Sequence, residues 1–405
     1  MKKIFLNYIL PTLLIIFIQT GCAFADFSIR EMELNFVQIS DTHISDKADT
    51  SYKALSSSKE LLKDAILQTN MLKPVDFVMF TGDMVNEPLK DSYRDFFIEL
   101  TKLKYPALMA FGNHDMLQLQ ERSEDTPPYL TKDEAISVIK ACNPFYIFDK
   151  SYYAFSPKRD YRVIVLDTTI DDKITSNGYL TDEMAGFLKY EIETHKDKVI
   201  IIFEHHPLVE PFKSEHHKII NSETYMDILK QYKRTPIAIF SGHYHAAKIT
   251  RQGNILHIST PSLVTYPNAF RYVNITNYND RTIFNIKYYE TNLTDIQKQS
   301  RIGAIASAAL RGMPSDHNTE IVIRKKDNNN DYKEEKPKTT KEDKQIQKEL
   351  KKAQKELKKQ EKMQEKLNKK AQKQQAKQIK NNAKNPVQET IETPQEQSDF
   401  APLQK

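Results

Sequence analysis

Seven apolar runs of five to seven residues, rich in Val, Ile and Phe, set the tightest limit on how this chain folds: Leu34–Ser40, Val75–Thr81, Ala107–Phe111, Arg162–Asp167, Val199–Glu204, Ile237–Ser241 and Ile255–Ser259. A run that is apolar at nearly every position needs burial on both faces. It therefore reads as a strand buried on both faces, not as a half-solvated strand with alternating pattern. Helical patterns fall between the runs, at about Ser57 to Leu72, Ser92 to Lys102, Thr181 to Thr194 and Ser222 to Tyr232. Strand–helix alternation of this kind points to an α/β fold with helices covering the sheets.

Five of the runs end in a short motif carrying metal-binding residue types. These are DTH at Asp41 to His43, GDMVN at Gly82 to Asn86, GNHD at Gly112 to Asp115, HHP at His205 to Pro207 and GHYH at Gly242 to His245. Strand C-terminal ends are where loops leave a sheet and bring distant residues together. Gly82, Gly112 and Gly242 stand at those exits, where the backbone turns tightly or approaches a ligand. Asp41 and His43, and likewise His243 and His245, are two apart on what reads as an extended exit, so each pair faces one pocket with Tyr244 turned away. Carboxylate, amide and imidazole donors together suit Mn, Fe or Zn better than Mg or Ca. Asp83, directly after an apolar strand and Gly82, is the natural carboxylate to bridge two cations.

In order and type these motifs resemble those of the calcineurin-like metallophosphoesterases over roughly Phe36 to Pro261. The stretches VQISDTHIS, YYAF…RVIVLDTT, GYLTDEM and STPS (Ser259 to Ser262) are most similar to the branch of bacterial cyclic-nucleotide-phosphodiesterase-like proteins. The resemblance implies a two-sheet β-sandwich flanked by helices. It also implies one metal held by Asp41, His43, Asp83 and His245 and a second by Asp83, Asn113, His205 and His243, with His114 contacting the phosphate and protonating the leaving oxygen. His205 rather than His206 is implied as ligand because the family's ligand stands two residues before the proline. His206 and Asp115 are then expected to support the ligands or line the substrate pocket. The implied reaction is in-line attack on phosphorus by a hydroxide bridging the two cations, with no covalent enzyme intermediate. The implied substrate is a small phosphate ester, a diester in preference to a monoester.

The ends of the chain differ in character from this centre. Lys2 and Lys3, the apolar Ile4–Ile18 and the small-x-small Ala23-Phe24-Ala25 predict a cleaved secretory signal over residues 1–25, and hence a periplasmic or secreted protein. An uncleaved membrane anchor and a lipid-modified Cys22 stand beside that reading. Cleavage would leave Cys142 alone, so no intramolecular disulfide is expected, and its apolar-flanked ACNPF setting predicts a buried small hydrophobe. The expected organisation is a catalytic domain over 33–290, a helical extension over 291–323 and a Lys/Gln/Glu-rich tail over 324–405. In the extension, a helix over Leu293 to Leu310 is predicted to present Ile302, Ile305, Ala306 and Ala309 on one face.

The tail carries 23 Lys and Arg against 14 Asp and Glu, a net +9 in a chain of net +5, so everything before it is acidic overall. No specific nucleic-acid recognition is therefore expected of the catalytic region. Ile346, Leu350, Ala353, Leu357, Leu367 and Ala371 form a thin coiled-coil seam broken at Gln360 and Gln364. A solvated helix, weak self-association and contact with an anionic surface are all consistent with it. Of the remaining histidines, His216 and His217 are expected in a solvated loop, and His195, His257 and His317 as structural or exposed. Two other functions remain open: a phosphomonoesterase on the same site, and an envelope-associated interaction protein working through its basic tail.

Overall fold

The structure is a computed structural model, and it describes residues 32–119, 126–303 and 307–325, with Lys348, Lys351, Lys352, Lys355 and Lys359, all five helical and exposed. The chain divides into two units, Met1–Gln354 and Lys355–Lys405. Of the second unit only Lys355 and Lys359 are described. The signal segment, Ile305 and Ala306, and the apolar seam of the tail lie outside the described residues.

Two six-stranded sheets form the first unit. One runs β12-β11-β10-β1-β2-β3, with β1 Glu33–Ile39, β2 Phe77–Thr81, β3 Ala107–Ala110, β10 Ala269–Asn277, β11 Arg281–Glu290 and β12 Thr319–Arg324. The other runs β4-β5-β6-β7-β9-β8, with β4 Tyr153–Phe155, β5 Tyr161–Val165, β6 Val199–Phe203, β7 Ile237–Ser241, β8 Lys248–Gln252 and β9 Ile255–Ser259. The apolar runs form the parallel interiors β1-β2-β3 and β5-β6-β7-β9, while β10, β11 and β12 and the edge strands β4 and β8 pair antiparallel. Phe36 of β1 meets Phe203 and Phe240 of the facing sheet edge-on at 5.2 and 5.1 Å, so the core lies between the sheets.

Helices cover the outer faces: α1 Ser58–Thr69, α2 Lys90–Leu100, α3 Lys132–Cys142, α4 Asp182–Thr194 and α5 Ser222–Leu229. Leu188 and Ile192 of α4 and Tyr225 and Ile228 of α5 pack on Ile164, Ile200 and Ile239 of the second sheet. The two-sheet sandwich expected from the sequence is therefore present.

The chain after residue 290 departs from expectation. The described parts of the predicted helix are helical, α6 Thr294–Gly303 and α7 Ser307–Arg311, but the extension then continues into a strand, β12, that pairs with β11. The stretch 291–323 is thus not wholly helical, and the first sheet continues through Arg324. Ile302, expected on the packed face, is 87% exposed, while Leu293 and Ile296 pack against Ala54, Leu61 and Val264. Cys142, expected buried, is exposed at the last turn of α3, where Asn143 turns inward and donates to the Ala107 carbonyl. Among the described residues no helix is long and apolar enough to cross a membrane.

Candidate metal centre

Parallel strands end at the same edge, so the five motifs meet although they are spread over some two hundred residues. Pairing continues past the strand ends: Asp41 N donates to Gly82 O at 3.1 Å, His43 N to Asp83 O at 2.9 Å and Gly242 N to His205 O at 3.0 Å. Gln38 ties the two sheets beneath the site, donating to Thr81 Oγ1 and the Ser241 carbonyl and accepting from Thr260.

The exits themselves are not extended. Asp41, His43, Asp83, His243 and His245 all take left-handed backbone conformations, with φ of 52°, 41°, 51°, 68° and 53°. An L-residue rarely adopts these angles, and such strain gathers where function holds it in place. The glycines answer to close approach. A Cβ on Gly112 would lie 2.3 Å from Asp83 Oδ1, and one on Gly242 would lie 1.9 Å from Ser40 Oγ.

These turns converge Asp41, His43, Asp83, His205, His243 and His245, all buried. His43 Nε2 stands 3.3 Å from His245 Nε2 and 3.6 Å from Asp83 Oδ2, His205 Nε2 lies 3.4 Å from Asp83 Oδ2, and His245 Nε2 lies 3.3 Å from Asp41 Oδ1. His243 Nδ1 approaches His205 Nε2 at 3.1 Å. Ligands sharing one cation at bonds of about 2.1 Å stand roughly 3.0–3.4 Å apart. The spacing therefore fits cations between these atoms. Four overlapping sets have candidate ligand atoms within 4.8 Å of one another: Asp41-His43-His245, Asp41-Asp83-His205, His43-Asp83-His114 and His205-His206-His243. Buried atoms without a protein partner, Asn113 Oδ1, His206 Nε2 and His243 Nε2, add to the fit.

Hydrogen bonds on the far side of the rings fix which nitrogen is free. His205 Nδ1 lies 2.8 Å from the Thr81 carbonyl and His114 Nδ1 2.7 Å from the Asn86 carbonyl. A carbonyl only accepts, so both rings carry their proton on Nδ1 and offer the Nε2 lone pair. His245 Nδ1 meets Thr265 Oγ1 at 2.8 Å and His206 Nδ1 meets Thr168 Oγ1 at 2.8 Å. Asp41 Oδ2 accepts from Ser40 Oγ at 2.6 Å and from His243 N at 3.0 Å.

Electrostatics follow from burial. Burial alone would raise Asp83, yet the neighbouring His205 and His114 hold its carboxyl well below the usual range. Burial lowers His205, but the charge of Asp83 and their hydrogen bond carry it up to about 9, so a cation at Nε2 would have to displace a proton there. Burial keeps His43, His206 and His243 well below the ordinary histidine value, hence neutral and ready to donate a lone pair.

Asp115 proves to be a strut. It accepts from the Met84, Val85 and Gly112 backbone N–H groups at 2.7, 3.3 and 2.8 Å, locking GDMVN to GNHD, while burial and the charge of Asp83 push it up to about 8.

Two neighbours had no motif to announce them. Lys53 places Nζ 3.5 Å from His43 Nδ1, and Tyr52 places its ring 6.3 Å from that of His245. His217, expected in a solvated loop, is half-buried with its ring 5.4 Å from His243 and Nδ1 2.7 Å from Ser214 Oγ; His216 is exposed as expected. The adjacent HH pair was the one available hint for His217.

The chain is similar to several known proteins. A probable glycerophosphodiester phosphodiesterase of Arcobacter nitrofigilis is 29% identical over 56% of this chain and 77% of its own length. A probable cyclic nucleotide phosphodiesterase of Moraxella catarrhalis is 27% identical over 52% and 71%. A dimetal phosphatase from Danio rerio aligns in structure at TM-score 0.47 and 17% identity, over 62% of this chain and 95% of that one. The calcineurin-like phosphoesterase family model matches residues 34–247, a span that begins in β1 and closes just past His245, and the chain belongs to that family.

Proposed function

We propose that this metallophosphoesterase is an exported phosphodiesterase that hydrolyses a small diester at a centre of two divalent cations. The observation that carries the reading is the overlap of the ligand sets through Asp83, whose carboxylate lies between His43 and His205. Asp41, His43, Asp83 and His245 would hold one cation, and Asp83, Asn113, His205 and His243 the other, with Mn, Fe or Zn suiting the mixed oxygen and nitrogen donors. His206, whose free Nε2 faces the His205–His243 side, supports the second position. When bound, the pair would supply an activated water and neutralise charge on the phosphoryl oxygens.

The chain's own groups do the rest. Carbonyl and hydroxyl partners hold the rings in one orientation, so little reorganisation accompanies the reaction. His114 directs Nε2 toward the His43–Asp83 side. Burial lowers its proton affinity while the charge of Asp83 and the Asn86 carbonyl raise it, and an arriving phosphate adds to the raising side. Protonation of His114 is thereby coupled to substrate, as a donor to a leaving alkoxide requires, and a general acid of this kind contributes about 10²–10⁴-fold.

Both relatives' names specify small phosphodiesters, which supports diester over monoester. The export signal expected at the N-terminus favours a glycerophosphodiester-like substrate over a cytosolic cyclic nucleotide. The test is metal analysis of the purified protein, followed by Mn²⁺-supported hydrolysis of bis(p-nitrophenyl) phosphate, p-nitrophenyl phosphate, a glycerophosphodiester and cyclic AMP. Asp83→Asn should abolish turnover. Retained activity in that variant, or hydrolysis of no ester by the Mn²⁺-loaded wild type, overturns the proposal.

A further inference from the structure

Lys53 is a buried ammonium, 8% exposed, at the edge of the ligand cluster. Its ammonium approaches His43 Nδ1 at 3.5 Å and lies 5.9 Å from the centre of the Tyr52 ring, and no described carboxylate lies within ion-pair distance of it. If His43 gives Nε2 to a cation, its Nδ1 carries a proton, and two donors then face each other without an acceptor. A buried cation in that position is costly unless an anion arrives to take its hydrogen bonds. The charge of Lys53 acts on His43, His114 and His217 and is acted on by Asp83 and Asp41, so it borders the same cluster.

The loop bearing it is rigidly made. Lys53 N donates to Thr50 Oγ1 and Thr50 N to the Lys53 carbonyl, both at 3.0 Å. Ser56 N and Oγ close on Asp49 Oδ1 at 2.9 and 2.8 Å, and Ala54 N is pinned to the Val264 carbonyl at 2.7 Å. Beside it Tyr52, 46% exposed, presents its ring between His245 and solvent. A loop held this firmly presents an ammonium that no carboxylate pairs, an arrangement organised for an anionic ligand.

We propose that Lys53 is a substrate-contacting residue whose ammonium takes a non-bridging phosphoryl oxygen of the ester, with the Tyr52 ring as the wall beside the organic group. The inference rests on the phosphoesterase reading of the same site and names the group that binds the substrate anion from the protein side. The test uses the full chain loaded with Mn²⁺, as wild type, Lys53→Met and Lys53→Arg. Three quantities are read: Mn²⁺ content, affinity for inorganic phosphate by calorimetry, and the separate KM and kcat on bis(p-nitrophenyl) phosphate.

Loss of one charge-assisted hydrogen bond should weaken phosphate binding about tenfold or more and raise KM similarly in Lys53→Met, while Lys53→Arg stays near wild type. Mn²⁺ content should be equal in all three. Unchanged phosphate affinity and KM in Lys53→Met overturn the proposal. So does a fall in Mn²⁺ content, which would make Lys53 a prop for His43. A wild type that binds Mn²⁺ and phosphate but hydrolyses nothing overturns the function proposed above while the phosphate affinities still decide the role of Lys53.

Discussion

At the scale of single residues, the site is made by backbone turns that few side chains tolerate. Among the described residues, six non-glycine positions have left-handed φ, and five of them are residues named from the motifs. Residue type was legible because metal chemistry restricts it; the turn was not, since alternation along a strand is a weaker guide once the strand has ended. Lys53 and Thr265 were illegible for another reason: their roles depend on where a loop passes, which no local pattern encodes. Gly112→Ala tests the tightness of the turns. Its Cβ would stand 2.3 Å from Asp83 Oδ1 and 2.4 Å from Asp83 N, both on the segment that carries the bridging candidate. The variant should keep its circular dichroism spectrum but lose Mn²⁺ affinity by calorimetry. A second residue bears on pH. His257 is buried on β9 with neither ring nitrogen partnered, and burial holds it down to about 3. The unfolded chain protonates it below about 6.5, so between those values the unfolded state binds the extra proton. Its contribution to stability is complete above 6.5 and is lost as pH falls through that window, by at most about 1.4 kcal/mol per pH unit. Urea midpoints at pH 7.5 and 5 should therefore converge in His257→Leu relative to wild type.

At the scale of elements, the sequence showed strands that are apolar throughout and hid those whose pattern is mixed. All seven apolar runs became strands, whereas the antiparallel pair β10 and β11 mixes Arg271, Asn274, Asn285 and Lys287 into its pattern: β11 alternates buried and more open positions, and β10 is buried almost throughout with Arg271 inside. The helix α3 escaped although TKDE at Thr131 to Glu134 is a capping box, with the Thr131 side chain accepting from Glu134 N and the Glu134 carboxylate accepting from Thr131 N at 2.8 Å. A start signal was present; a short apolar face of Ala135, Ile136 and Ile139 gave the periodicity too little length. Thr131→Ala should cost about 1 kcal/mol, readable as a lowered midpoint in thermal unfolding with hydrolysis unaffected, because α3 contributes no candidate ligand. Beyond the helical stretch after residue 290, β11 offered an edge that β12 fills, a pairing that no local pattern encodes.

At the scale of the whole first unit, the segment after residue 290 is part of the catalytic body, and this separates it from the charged tail. The Leu310 carbonyl accepts from Ala247 N at 2.8 Å, two residues beyond His245, and Leu310 packs with Tyr244 and Ala246 of the GHYH exit. Asp316, buried, accepts from Ile249 N and Met313 N at 2.9 Å each, holding the turn that follows α7 against β8. Gly312, at φ 74°, lies so close that a Cβ would stand 2.2 Å from the Ala247 carbonyl. These contacts brace the loop that carries His243 and His245 from behind. The segment's last described contact in sequence is on the β10–β11 turn, where Lys325 N donates to Asp280 O at 2.9 Å and its Nζ to Tyr278 O at 2.7 Å. Two truncations divide the chain on that basis. Ending it after Lys325 removes the basic tail and should leave Mn²⁺ content, kcat and KM unchanged. Ending it after Glu290 removes α6, α7 and β12, uncovers the β11 edge and frees the GHYH exit. That chain should lose Mn²⁺ affinity and turnover together, and an active, metal-loaded product would show that the brace is dispensable.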